Sequence, residues 1–432
     1  MRTSTFQIAV LSIFGASIIG GVIVFALYGG VLSSPSSEVT LWGTYPSSLL
    51  EDVLKSQSFT EANVAVSYVE KSSDAFEQDL LNALAEGNGP DLVLLPENLI
   101  LSNLGKLTLI PYGSYSERDF RDTFIDSADV LATRDGILGL PFSVDPLVMY
   151  WNRSLYAASG LSEPLKTWEQ APLVAPRLRA LSETGSLIRG GLPFGVFANN
   201  RNSSSILSLL ILQAGAPIVE HFVDQSLGDV YKANVTGERV VSSAGEAALR
   251  FFTEFSDPGK PTFSWSSAFP EARQSFLSEN LATYFGFASE LSSLRAGNPN
   301  LNFDVAEIPQ PKGRNPATYA RMTVIAITKQ GASAGAFQAA GALSSLEAAG
   351  LFAARANLPP ARRDLLSTFP KDAFLVSFWK SALISRTFLD PTREGPSSAR
   401  REAVENINNG RSSVAEASSR LESRIESELS GI

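Results

Sequence analysis

Side chains able to make or break covalent bonds are scarce in this chain. Its 432 residues include no cysteine and a single histidine, His221. Without thiols there is no disulfide, no thiolate nucleophile and no cysteine-ligated metal. A Ser-His-Asp triad or a histidine-bound metal would have to be built on His221 alone. That residue lies in an alternating stretch, Val219 to Val223, beside a turn, and reads as a surface or edge histidine. No Gly-x-Ser-x-Gly elbow, phosphate-binding loop or dinucleotide fingerprint occurs. Thiol and histidine-based chemistry are thereby set aside, and no catalytic residue, metal or cofactor is singled out; what remains to look for is ligand binding. Candidates for it follow the C-terminal ends of expected strands, where open α/β sheets take ligands. Trp42 and Tyr45 follow one such strand, Glu97 and Asn98 another. Trp42 suits a core position equally well, and Glu97-Asn98 a solvated loop.

The elements that would position these residues alternate in type. Val39 to Trp42 is a short β run, Ser48 to Lys55 a helix and Val64 to Val69 a second strand. Asp74 to Glu86 reads as a helix with Asp74 as N-cap and Gly87 as its left-handed stop. Asp91 to Leu95 is a nearly continuous apolar strand, the pattern of a strand covered on both faces. This β-α-β-α-β order predicts an α/β domain. Further helices are expected at 205–214, 245–255 and 270–278, and one long Ala-rich helix from Ser333 to Ala353. Residues 324–328 read as a buried strand. The tail from Ser398 to Ser430 reads as two helices broken at Asn408-Asn409-Gly410, with its charges, Arg400 among them, on a solvated face.

Phe6 to Leu32 is a run of about 27 almost wholly apolar residues, long enough to span a bilayer as a helix. Arg2 precedes it and no charge follows until Glu38, which keeps the N-terminus cytoplasmic and exports the rest. The length favours an uncleaved anchor over a signal cut near Tyr28-Gly29-Gly30. Residues 1–37 are thus expected to be a single-pass anchor and tether. The net charge of −9 and the absence of a basic cluster argue against nucleic acid. With 432 residues, two packed domains are expected beyond the anchor.

Several ordered segments carry a family resemblance. Gly89-Pro90-Asp91 leads into a strand after an amphipathic helix. Asp135-Gly136-Ile137-Leu138-Gly139-Leu140-Pro141-Phe142 is followed by Val148 to Tyr156, Ala158 to Leu161, and Lys166-Thr167-Trp168-Glu169. Phe276 to Gly286 and Ala306 to Pro311 come next, in the same order. This series resembles the family 1 extracellular solute-binding proteins, the maltodextrin-type group. Trp151 precedes Asn152 where the family has Tyr-Asn, and Phe276–Gly286 lacks its Gly-Lys and Met.

The resemblance implies a two-lobed, periplasmic-binding-protein-like clamp that crosses between lobes near 143–148, 310–318 and 345–352. Lobe one would comprise 38–145 and 318–345, and lobe two 146–317 and 346–432. Ligand would bind between them and be enclosed by hinge closure. It further implies a monomeric, non-enzymatic receptor that passes a mono- or oligosaccharide to ABC-type permease subunits. Sugar sites combine aromatic faces with carboxylates, amides or arginine. Asp145 at the first crossover is favoured as a ligand contact over a hinge role. Phe285 and Phe287 stand where relatives present aromatics, although a core strand competes for both. Arg321, at the return into lobe one, could hold ligand or hinge. Trp151, Trp168, Trp265 and Trp379 read as packing residues. The alternatives are an anchored glycoside hydrolase, which would need paired carboxylates, and a polyamine- or peptide-sensing clamp without a transporter.

Overall fold

The computed structural model describes residues 37–431 apart from 225, 227, 238–242 and 392–397. The expected anchor, Phe6 to Leu32, lies outside the described residues. No helix among the described residues is long and apolar enough to cross a membrane.

Strand β1 (Ser37–Gly43), helix α1 (Ser47–Leu54), strand β2 (Val64–Glu70), helix α2 (Phe76–Glu86) and strand β3 (Leu92–Pro96) follow one another. The three strands are parallel, with β1 in the middle. Leu92 to Leu95 are all buried, as a strand covered on both faces requires. Helix α2 starts at Phe76 and not at Asp74. The backbone N–H of Ala75 bonds to the Ser72 carbonyl at 3.2 Å, which closes a turn through Asp74. Gly87 ends the helix as expected, at a φ of 78° that costs a glycine nothing.

Next come strand β4 (Leu140–Asn152), helix α3 (Ser203–Gln213), strands β5 (Ile218–Asp224) and β6 (Gly228–Asn234), and helix α4 (Ala244–Glu254). Strands β7 (Thr283–Phe287), β8 (Phe303–Ala306) and β9 (Thr318–Thr328) follow. β9 lies antiparallel between β3 and β4. β4 changes partners midway: its residues 140–146 pair with β9, and 147–152 pair with β7 and β8. One sheet therefore runs through both halves of the molecule, and β4 carries the chain across. One large core packs behind Leu41, Leu94 and Phe142, and a second gathers Trp168, Phe194, Phe252 and Phe285. The result is a two-domain α/β architecture.

The Ala-rich stretch is two helices, α5 (Ala334–Leu343) and α6 (Leu346–Ala356). Ser333 caps the first, its hydroxyl accepting from the N–H of Ala336. Ser345 breaks the run because its hydroxyl caps the second, accepting from the N–H of Ala348 at 3.1 Å. α6 packs on α1, and Glu347 accepts from the N–H of Ser58 at 2.9 Å. Residues 346–356 thus lie against α1 and the segment that follows it.

The tail forms α7 (Ser398–Asn408) and α8 (Val414–Leu429), broken where expected. Its charges are not simply a solvated face. Glu422 accepts from the N–H groups of Val235 and Thr236, and Glu426 from that of Ala233. These carboxylates satisfy backbone donors at the end of β6 that no neighbouring strand reaches. Arg400 is only 2% exposed and is paired with Asp390 at 3.0 Å. His221 sits half-buried in the two-stranded β5–β6 ribbon, 2.9 Å from Asp229 and stacked on Tyr231.

Candidate functional site

A polar cavity of about 510 Å³ opens where β1 and β3 end and β4 and β9 cross. A hollow of about 820 Å³ elsewhere, lined by Leu107, Leu138 and Tyr231 among others, is larger but mostly apolar and shares no residue with it. A third hollow of about 790 Å³, between α4 and α7, is at least as polar, but only the first lies where strand ends from both halves converge, which makes it the candidate.

Its first wall follows from strand ends. Tyr45 lies just past β1, and Glu97 and Asn98 just past β3. The Tyr45 hydroxyl is 2.8 Å from that of Ser143 and 2.9 Å from that of Thr323. Burial pushes its pKa up, against the pull of those two hydroxyls. Glu97 is 2% exposed. One carboxylate oxygen accepts from the Met322 N–H at 2.9 Å, the other from the Tyr319 hydroxyl at 3.3 Å. Burial outweighs these bonds and the nearby Arg321 charge, and lifts the carboxyl to about 7.

The floor comes from the crossing strands. Asp145 on β4 and Arg321 on β9 are cross-strand partners. Asp145 accepts from Ser289 twice, from the N–H at 2.9 Å and the hydroxyl at 2.6 Å. Desolvation still lifts it to about 6, opposed by the Ser289 bonds and Arg321. Arg321 projects into the cavity with its guanidinium 3.7 Å above the Phe287 ring. It makes no hydrogen bond or close ion pair with any described residue.

The opposite wall was not anticipated. It is the start of α3, which presents Ser204, Ser205 and Ser208 to the cavity, with Arg201 just before them. The buried Asn202 anchors that helix start, its amide donating to Phe285 O, Tyr284 Oη and Glu290 Oε1, all at 3.0 Å. A signal was available: Ser204, Ser205 and Ser208 share one face of a helix whose other positions are mainly Ile and Leu. Phe388, Asp390 and Arg400 complete the lining from the C-terminal region. Local sequence carries no sign of that approach.

Five of the eight residues singled out by sequence meet here: Tyr45, Glu97, Asn98, Asp145 and Arg321. The other three do not line the cavity. Phe285 is fully buried against Phe194 and Trp168, with ring centroids at 4.9 and 5.8 Å, so its ring is core. Phe287 is 1% exposed and supports Arg321 from beneath. Trp42 lies half-buried under the Lys71 ammonium, which is 3.8 Å from its ring. Trp151, Trp168, Trp265 and Trp379 are buried packing residues.

With this geometry in hand, known proteins supply a frame. The family described as bacterial extracellular solute-binding protein matches residues 43–349. A 132-residue stretch is 22% identical to a protein of Brucella abortus (strain 2308) named as a binding protein. It covers 30% of this chain, and the match spans only 32% of that relative's length. Among solved structures, the cyclic alpha-maltosyl-1,6-maltose binding protein from Arthrobacter globiformis superposes with a TM-score of 0.73 at 18% identity. That match covers 91% of this chain and 99% of the other. The sugar-binding protein MalE from Xanthomonas citri gives 0.70 at 18% identity, over 91% and 98% of the two chains. Such identities establish a shared fold.

Proposed function

The chain belongs to the family of bacterial extracellular solute-binding proteins, and on that premise we propose that it captures a carbohydrate between its lobes for an ABC-type importer. The observation that carries this reading is the polar cavity at the crossing of β4 and β9, with groups from both halves of the molecule around it. A cleft so placed changes shape when the halves rotate, and ligand that touches both sides favours the closed form. Tyr45, Glu97, Asn98, Asp145 and Arg321 are the proposed ligand contacts. Hydroxyls, an amide, carboxylates and arginine together match the mixed donors and acceptors of a sugar.

We place lobe one at 38–145 and 318–345 and add residues 346–356 to it, because α6 rests on α1. Lobe two is then 146–317 and the chain after 356. The apolar run Phe6–Leu32 would hold this clamp at the outer face of the cell membrane as a single-pass anchor, with permease subunits as partners. The protein would act as a monomer and without turnover. Support for a receptor over a hydrolase comes from the carboxylates, since the oxygens of Glu97 and Asp145 are both engaged by the protein itself.

A thermal-shift screen of the purified chain against mono- and oligosaccharides, polyamines and peptides tests this. A ligand at about 100 times its dissociation constant stabilises the folded state by about 2.7 kcal/mol. A shift with a sugar and no hydrolysis of it is expected. A response to polyamine or peptide alone would overturn the carbohydrate assignment, and sugar cleavage would restore the hydrolase reading.

A further inference from the structure

The polar groups around the cavity divide by whether the protein already uses them. The acids are used. Glu97 accepts from Tyr319 and Met322, Asp145 accepts twice from Ser289, and Asp390 is paired with Arg400. The groups left over are Arg321, Asn98, Thr44, Ser205 and Ser208, none of which bonds to another described side chain. Ser208 is only 2% exposed, yet its hydroxyl lines the cavity and has no partner among the described residues. That hydroxyl is not among the fully buried polar atoms left without a partner, so it faces whatever fills the cavity. Arg321 offers only donors, and its one close contact is the face of Phe287. The leftover set is therefore rich in donors and lacks any acceptor-only group.

Resting on the carbohydrate reading above, we infer that the saccharide carries an anionic group, a carboxylate or a phosphate, received by Arg321, Asn98, Ser205 and Ser208. A neutral sugar brings a donor with every hydroxyl acceptor, and Arg321 can meet only the acceptor half of it. An anionic group brings acceptors alone, and guanidinium matches its planar or tetrahedral oxygens. Ser205 and Ser208 lie in the first turns of the eleven-residue helix α3, whose positive end faces the same space. Two acids flank Arg321, but neither is within ion-pairing distance of it; burial raises Glu97 to about 7 and Asp145 to about 6, so both keep part of their charge at pH 7. Tyr45, Tyr319 and Phe388 are the aromatics of the lining, and no tryptophan joins them.

Calorimetric titration of the full chain in mild detergent at pH 7 tests this with matched pairs, digalacturonate against galactobiose and glucose 6-phosphate against glucose. One acidic member is expected to bind at least about tenfold tighter than its neutral counterpart. Which pair shows the gap separates carboxylate from phosphate. Arg321→Gln should close that gap by lowering the acidic member's affinity far more than the neutral one's. Should that variant not fold, Ser208→Ala should weaken the acidic member by about threefold or more and spare the neutral one. Neutral sugars binding as tightly as acidic ones would overturn the inference and leave the carbohydrate receptor standing. Failure of every saccharide, neutral and acidic, would overturn both.

Discussion

Two sets of polar side chains face the same cavity and are held in opposite ways. Tyr45, Glu97, Asp145 and the Asp390–Arg400 pair spend their hydrogen bonds inside the protein. Asn98, Ser205, Ser208 and Arg321 spend theirs on no described side chain. The first set ties segments together, Asp145 to the Ser289 turn and Glu97 to β9, and so belongs to the architecture as much as to the cleft. The second set touches little. Proximity to a cavity does not by itself tell a ligand contact from a structural tie; the state of each group's hydrogen bonds does.

The comparison can be broken by mutation, since the two sets should answer differently in stability. The largest effect is expected at Asp390. Its carboxylate is 5% exposed and faces the buried Arg400, and removing one member of such a pair costs about 3–5 kcal/mol. Urea unfolding of Asp390→Ala should show that loss; a change under about 1 kcal/mol would mean the pair is no structural tie.

Glu97 should give a smaller effect that depends on pH. Its carboxyl is raised from 4.5 to about 7 in the folded protein. Between those values the folded chain keeps a proton that the unfolded chain has released, so stability falls as pH rises. Above about pH 7 the full cost of order 3 kcal/mol is in place. Glu97→Gln can accept from the Met322 N–H with its amide oxygen and donate to the Tyr319 hydroxyl with its nitrogen, without the charge. It should melt higher than the parent at pH 8 and alike near pH 5; a pH-independent difference would refute the buried-acid account. At the small end, Ser208→Ala should leave stability within about 0.5 kcal/mol, because its hydroxyl holds no protein partner. A loss above about 1 kcal/mol would move Ser208 into the structural set.

Much of the first wall was legible from local pattern. Leu92 to Leu95 read as a covered strand, Pro96 ends it, and Glu97 and Asn98 must then emerge at its C-terminal end. Tyr45 follows from the same logic after β1. Phe285 shows where pattern fails. All of Thr283 to Phe287 are buried, so alternation offers no polar face to mark the side toward the cleft. Phe285 turned out to pack on Trp168 and Phe194. The single Ala-rich helix failed for a different reason: Ser345 caps a new helix inside a run whose propensity is helical throughout.

Composition and order alone determined that this chain lacks thiol and multi-histidine chemistry, that its folded part is α/β, and which strand ends carry polar residues. These are properties of residue type and short-range period, and they survive without knowledge of distant contacts. Only the tertiary structure decided that Arg201 just before α3, Ser205 and Ser208 on it, and Asp390 and Arg400 from the C-terminal region share a cavity with Glu97. It also decided that Arg400 is buried and Arg321 is not. The reason is that pairing and burial depend on which segments meet across more than a hundred residues, and no local spacing encodes that meeting.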